Sequence, residues 1–285
     1  MKYLKIMMVL ATVTLAAVAC GPNNTQKNNE KKGPKTLVVY YSQTSNTKAV
    51  AVTIAMHLGA DADLEEIVPV EPYENDFQAT IERGKRELDE GILPEIQPLT
   101  INVADYDLIF IGYPIWFGTY AQPIATFLNQ VDLSGKKVVP FCTFGSGGLE
   151  SSTQNLVKAQ PNAIVLEGYG VRAARLGAMP KEVDQFLKAG GFIPGEHTQL
   201  GDFTEQQPVS AEEAAIFEAA VGDYPMMHAK AESAGMRSIP GGTEYLFVAV
   251  DLPREDRPDM PPAGMMKVYV TVMDGQAPEF TRVVR

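Results

Sequence analysis

Six consecutive polar residues, Ser42-Gln43-Thr44-Ser45-Asn46-Thr47, separate a hydrophobic run from a helical pattern. Their hydroxyls and amides, with the orphan backbone N–H groups at the positive end of a helix macrodipole, are donors that hold a phosphate without any cation. A plain helix cap uses the same residue types. What else converges on the turn decides between the two.

Two further segments carry ligand-binding character. Gly112-Tyr113-Pro114-Ile115-Trp116-Phe117-Gly118 sets the sole Trp of the 285 residues among Pro and Gly, a poor place for a core aromatic and a good one for a ring that meets a ligand. Thr143-Phe144-Gly145-Ser146-Gly147-Gly148 is a small-residue loop whose backbone can approach a planar ring. Other chemistries lack support. His57, His197 and His228 are scattered without metal-ligand spacing, and neither a Ser-His-Asp set nor paired carboxylates can be argued, so no metal and no catalytic residue is assigned. Cys142 lies inside an apolar run and reads as a small core residue.

The elements that must position these segments follow from periodicity. Residues 36–41, 106–112 and 137–142 are nearly continuous apolar runs suited to strands buried on both faces, with further strands at 64–70 and 163–169. Helical patterns fall near 50–58, 75–90, 123–128, 149–159 and 181–189. Strands alternating with helices predict an α/β domain over residues 36–194: a doubly wound five-stranded parallel sheet with helices on both faces. The three polar and glycine-rich segments then sit together at the carboxyl ends of strands, where such sheets bind ligands. Residues 195–285 change character. A Ser210-x-x-Glu213 capping box opens one helix that Gly222 closes, strands are expected at 244–250 and 265–273, and Asp274-Gly275 signals a hairpin. A second, smaller α+β domain is expected.

Tyr41-Ser42-Gln43-Thr44-Ser45-Asn46-Thr47-Lys48 resembles the FMN (flavin mononucleotide) phosphate loop of flavodoxins, Thr-x-Thr-Gly-x-Thr. Ser42 keeps the hydroxyl, and Ser45 stands where the family has a Gly that takes positive φ without steric cost. The resemblance is flavodoxin-like over about residues 36–192 and closest to short bacterial flavodoxins over 82–156. It implies FMN as cofactor, with Ser42, Gln43, Thr44, Ser45, Asn46 and Thr47 at the phosphate. It implies also that Pro114, Ile115, Trp116, Phe117 and Gly118 on one side, and Thr143, Phe144, Gly145 and Gly148 on the other, sandwich the isoalloxazine, Trp116 stacking on it. The function implied is electron transfer to or from a partner protein; an FMN-dependent, quinone-type small-molecule oxidoreductase and a non-redox binding module remain open. Ile239-Pro240-Gly241-Gly242-Thr243-Glu244-Tyr245 resembles a turn of the cystatin-like fold. The chain lacks the inhibitory hairpins of cystatins, so this domain is expected to cover the ligand edge or bind a partner.

The N-terminus and charge add location. Positive residues, an apolar run over 6–19 and small residues before Cys20 read as a signal peptide over 1–19; a Cys directly after the small residues resembles the lipobox of bacterial lipoproteins, which implies a lipidated Cys20, and the polar stretch 20–35 reads as a flexible tether. The expected location is the bacterial cell envelope, lipid-anchored outside the cytoplasm. Residues 36–285 hold 18 Lys and Arg against 34 Asp and Glu, a field that repels nucleic acid and favours a redox partner with a basic docking face. The acidic helix over 75–90 is the candidate docking face.

Overall fold

The computed structural model describes residues 34–222, 224–225, 227–253 and 264–285. The expected signal peptide, Cys20 and the expected tether up to residue 33 lie outside them. The described residues belong to one compact unit.

The apolar runs form the centre of a parallel sheet. β1 (Thr36–Tyr40) pairs on one side with β2 (Ala62–Glu66) and on the other with β3 (Leu108–Trp116), which in turn pairs with β5 (Lys137–Phe144). A two-residue strand, β4 (Thr119–Tyr120), folds back on the end of β3. The order β2-β1-β3-β5, followed by the fifth-strand position, is the doubly wound arrangement expected. Successive residues of β1 serve opposite faces. Leu37 and Val39 pack with α3 (Gln122–Gln130) and α4 (Leu149–Ala159), whereas Val38 and Tyr40 pack with α1 (Asn46–Leu58) and α5 (Met179–Ala189). α2 (Phe77–Glu90) lies beside α3.

Two expected strands differ in detail, and proline accounts for each. The second covers 62–66 rather than 64–70: Ile67 donates to Tyr40 O, and the chain then leaves the ladder at Pro69, which bridges Ile96 instead. The fifth is split into β6 (Ile164–Val165) and β7 (Tyr169–Arg172), both paired with β5. Val138 O accepts from Leu166 N on that side, so two residues on Pro140 also faces it and has no N–H to donate.

The C-terminal residues form a separate five-stranded antiparallel sheet in the order β12-β11-β10-β9-β8. Its strands are β8 (Gln207–Pro208), β9 (Ala229–Ile239), β10 (Gly242–Asp251), β11 (Met265–Met273) and β12 (Glu279–Val284). α6 (Ala211–Val221) starts with both hydrogen bonds of the capping box and buries Phe217 and Val221 against Phe247, Val268 and Phe280. This is the smaller α+β arrangement expected, with β8, β9 and β12 added to the strands read from sequence.

Candidate functional site

β1, β3 and β5 all end at one edge of the parallel sheet, and the three sequence-selected segments leave from there. In the first, Ser42 Oγ accepts from Lys48 N at 3.2 Å. Ser45 is the residue before α1, held in the left-handed region at φ +64°, and its carbonyl accepts from Ala49 N at 2.9 Å. That is the conformation a glycine takes freely. The N–H groups of residues 43–47 have no acceptor among the described residues, so a row of donors at the helix N-terminus is free for an anion. Thr47, buried, hydrogen-bonds its hydroxyl to that of Thr143 at 2.8 Å, pinning this turn to the end of β5. Gln43 accepts from Tyr41 OH at 2.7 Å and donates to Glu74 O at 3.0 Å.

In the second segment, β3 turns back into β4 through Phe117 (φ +52°) and Gly118 (φ +78°), a two-residue hairpin turn with both central residues left-handed. Ser45 and Phe117 are the non-glycine residues at positive φ among the described residues, and both belong to this edge. Strained backbone of this kind concentrates at ligand sites. Trp116 is half-buried, its ring edge-on to Tyr73 (centroids 4.9 Å apart) and Tyr41 (5.8 Å). The Arg83 guanidinium lies over the Tyr73 ring at 4.1 Å and donates to Glu87 at 2.8 Å; Tyr73 OH also donates to Glu87. Burial, reinforced at Tyr73 by Glu87, pushes the phenols of Tyr73 and Tyr41 well above the usual tyrosine range, so this aromatic box stays neutral. Glu87 is buried, and the exposed side of α2 mixes Glu82, Asp89 and Glu90 with Lys85 and Arg86. The helix is thus less of an acidic face than its composition implied.

In the third segment, Thr143 and Phe144 are buried and the loop opens at Gly145. Gly148 sits at φ +119°, and a Cβ there would lie 2.6 Å from Ile115 Cγ2, so the loop is closed against the β3 exit at a point where only glycine fits. Cys142, just before it, is fully buried, and burial pushes its thiol well above the ordinary value.

These segments line one cleft of about 910 Å³. Gln43, Thr44 and Asn46 of the first segment, Pro114, Ile115, Trp116, Phe117 and Gly118 of the second, and Thr143, Phe144, Gly145 and Gly148 of the third all line it. Of the sequence-selected residues, Ser42, Ser45 and Thr47 stand behind the lining, where they shape the turn. Sequence reasoning did not identify the lining residues that come from the C-terminal region: Tyr224, which follows α6, and Val283, Val284 and Arg285 at the end of β12. It missed Tyr41 and Tyr73 around Trp116 as well. Glu74, Glu150 and Arg285 are the charged residues of the lining. No helix of the described residues is long and apolar enough to cross a membrane, and among those residues no three His, Cys, Asp or Glu side chains group as metal ligands.

Residues 35–178 match the sequence profile of a family described as Flavodoxin. A candidate flavoprotein from Bacteroides eggerthii is 31% identical, the match covering 55% of this chain and 97% of that one with a TM-score of 0.49. A flavoprotein in complex with FMN from Lactobacillus acidophilus is 30% identical over 48% of this chain and 93% of that one, with a TM-score of 0.44. A candidate flavoprotein from Bacteroides uniformis is 29% identical over 54% and 99%, with a TM-score of 0.47.

Proposed function

The chain belongs to the flavodoxin family, and from that premise we propose that it is an FMN-binding redox protein, tethered by a lipid on Cys20 to the bacterial cell envelope and passing electrons to or from a partner protein. The observation that carries this reading is the cleft at the strand ends, where free backbone donors at one end meet a half-buried Trp116 and a glycine loop at the other. The chain's residues suit the group. The N–H groups of residues 43–47 would take the phosphate, whose charge the acidic protein balances with dipoles rather than cations. Trp116 and the backbone of residues 143–148 would bound the flat ring, held apart at fixed spacing by the Gly148–Ile115 contact. FMN, when bound, supplies the electron chemistry, and the protein supplies its position and surroundings.

The partner is a protein with a basic face, because residues 36–285 carry a large excess of carboxylates. A second reading, a small-molecule oxidoreductase of quinone type, is favoured by the wall formed by Tyr224 and residues 283–285, which makes the site a cleft rather than an open edge.

The deciding experiment is to purify the full chain in detergent, record its visible spectrum and titrate it with FMN, following quenching of flavin fluorescence. Saturable quenching at one equivalent supports the redox reading; unquenched flavin at all concentrations leaves a flavodoxin-shaped module without cofactor and sinks it.

A further inference from the structure

Edge strands normally leave a row of backbone groups to water. β12 is an edge strand of the C-terminal sheet, yet its outer side is seated on the 145–148 loop. Val283 N donates to Ser146 O at 2.7 Å. Gly147 lies so close beneath it that a Cβ would stand 2.0 Å from Val283 O. The φ of Gly147 is not in the left-handed region, so its lack of a side chain serves this approach rather than a turn. Gly145 makes a similar approach, a Cβ there lying 3.3 Å from Tyr224 OH. Two of the three glycines of the loop therefore face the C-terminal region, Gly147 against β12 and Gly145 against Tyr224.

Arg172, at the end of β7, ties the same parts together. Its Nε donates to Gly145 O at 2.9 Å and its Nη1 to Phe280 O at 2.6 Å, while the guanidinium lies 4.3 Å from the Phe280 ring centroid and 5.0 Å from that of Tyr224. Arg175 adds an ion pair to Glu279 at 2.9 Å while also holding Glu182 at 2.8 Å.

We propose that the C-terminal region is a working part of the FMN site: Tyr224, after α6, and residues 283–285 bound the cofactor, and seating of β12 on the 145–148 loop and FMN binding strengthen each other. This rests on the FMN reading above. The loop has two faces, one lining the cleft and one carrying β12, and a backbone held from behind by Val283 and Arg172 presents a fixed surface to a ring in front. Linkage of this kind is reciprocal, so a ligand that needs the seated loop also holds the sheet in its seat. Arg172 is here a positioning residue, acting through Gly145.

The test uses the full chain in detergent, with FMN as probe. Val283→Pro removes the N–H given to Ser146 and sets the proline ring carbon against Ser146 O, breaking the seat from the strand side, and Arg172→Ala removes the second tie. Each should raise the FMN Kd by about tenfold, and the double variant by little more than either alone, because one break already unseats the strand. In the unmodified chain, which needs no substitution to fold, FMN should slow hydrogen–deuterium exchange in residues 279–284, and in both variants that slowing should disappear. Normal quenching with an unchanged Kd in both variants overturns the proposal alone. So does a weakened Kd in the variants if FMN leaves exchange of 279–284 in the unmodified chain unaltered. No quenching with the unmodified chain overturns the FMN reading, and this proposal with it.

Discussion

Gly84 of α2 lies directly against the ring of Trp116: a Cβ on Gly84 would be 3.2 Å from Trp116 Cε3 and 3.6 Å from Phe117 Cε2. An Ala in a helix is worth about 1 kcal/mol over Gly, so a mid-helix glycine here is kept for the ring it seats. Gly84→Val should push the indole out of its place between Tyr41 and Tyr73, shifting Trp fluorescence and weakening FMN about tenfold. Trp116→Ala should weaken FMN by about 1–3 kcal/mol, the usual worth of an aromatic stacking platform. Fluorescence titration checks both, and unchanged affinity in Trp116→Ala would remove that residue from the ring contact.

The Thr47–Thr143 hydroxyl pair is buried and joins the phosphate turn to the flavin loop. Thr143→Val keeps the shape and leaves the Thr47 hydroxyl without this partner, at a cost of about 1–3 kcal/mol. Urea unfolding should show that loss, and the FMN Kd should rise with it. Stability lost with affinity intact would mean that the turn holds its geometry unaided.

Glu87, buried in α2, accepts from both Tyr73 and Arg83. Glu87→Leu leaves the Arg83 charge without its carboxylate and should destabilise the fold by about 3 kcal/mol, read as a lower urea midpoint at unchanged slope. Because Tyr73 then loses its acceptor beside Trp116, the indole emission should shift too.

Cys142 should resist thiol reagents in the folded protein. Burial takes its side chain out of reach and raises its pKa, and the thiolate is the reactive form. A Cys20→Ser chain should therefore react with an aromatic disulfide reagent only at the rate at which it unfolds. Rapid reaction at pH 8 would show that the β5 end opens.

Alkali should unfold the protein late and abruptly. Burial raises the phenols of Tyr41, Tyr73, Tyr113 and Tyr169 well above their ordinary value of 10.0. Burial, then the bond to Asp63, brings Tyr106 up to about 12. A pKa raised on folding stabilises fully below the unfolded value and loses that contribution as pH rises toward the folded one. Stability should hold to about pH 10 and decline above it, with tyrosinate absorbance from these rings appearing together with unfolding. Gradual ionisation from pH 9 in the folded state would contradict their burial.

The parallel sheet was legible because β1, β3 and β5 are buried on both faces and must be apolar without interruption. The turn at 42–47 was legible because phosphate-type sites rely on short polar residues at a helix start, and Ser45 adopts the positive φ that its family counterpart, Gly, implies. β9 was not: Lys230, Glu232, Ser233 and Gly235 dilute its apolar alternation, and its pairing with β10 supplies what its own residues lack. That the C-terminal domain covers the ligand edge was among the expectations, but the residues of the wall, Tyr224 and 283–285, could not be read, because they depend on where β12 docks against a loop more than a hundred residues earlier in the chain. The one trace was Gly147, which no turn required. A glycine without a conformational reason points to something packed against it.

The C-terminal sheet has two edges. One is β8, two residues long and ending in Pro208; the other is β12, covered by the 145–148 loop. A short strand with proline and a strand already occupied offer a neighbouring molecule almost no row of free backbone groups to extend. At β8 and β12 strand-to-strand pairing with a neighbouring copy is therefore disfavoured. The loop that serves the cleft also acts as a guard against self-association, and loosening it would expose the protein to strand-templated aggregation as well as weaken its site.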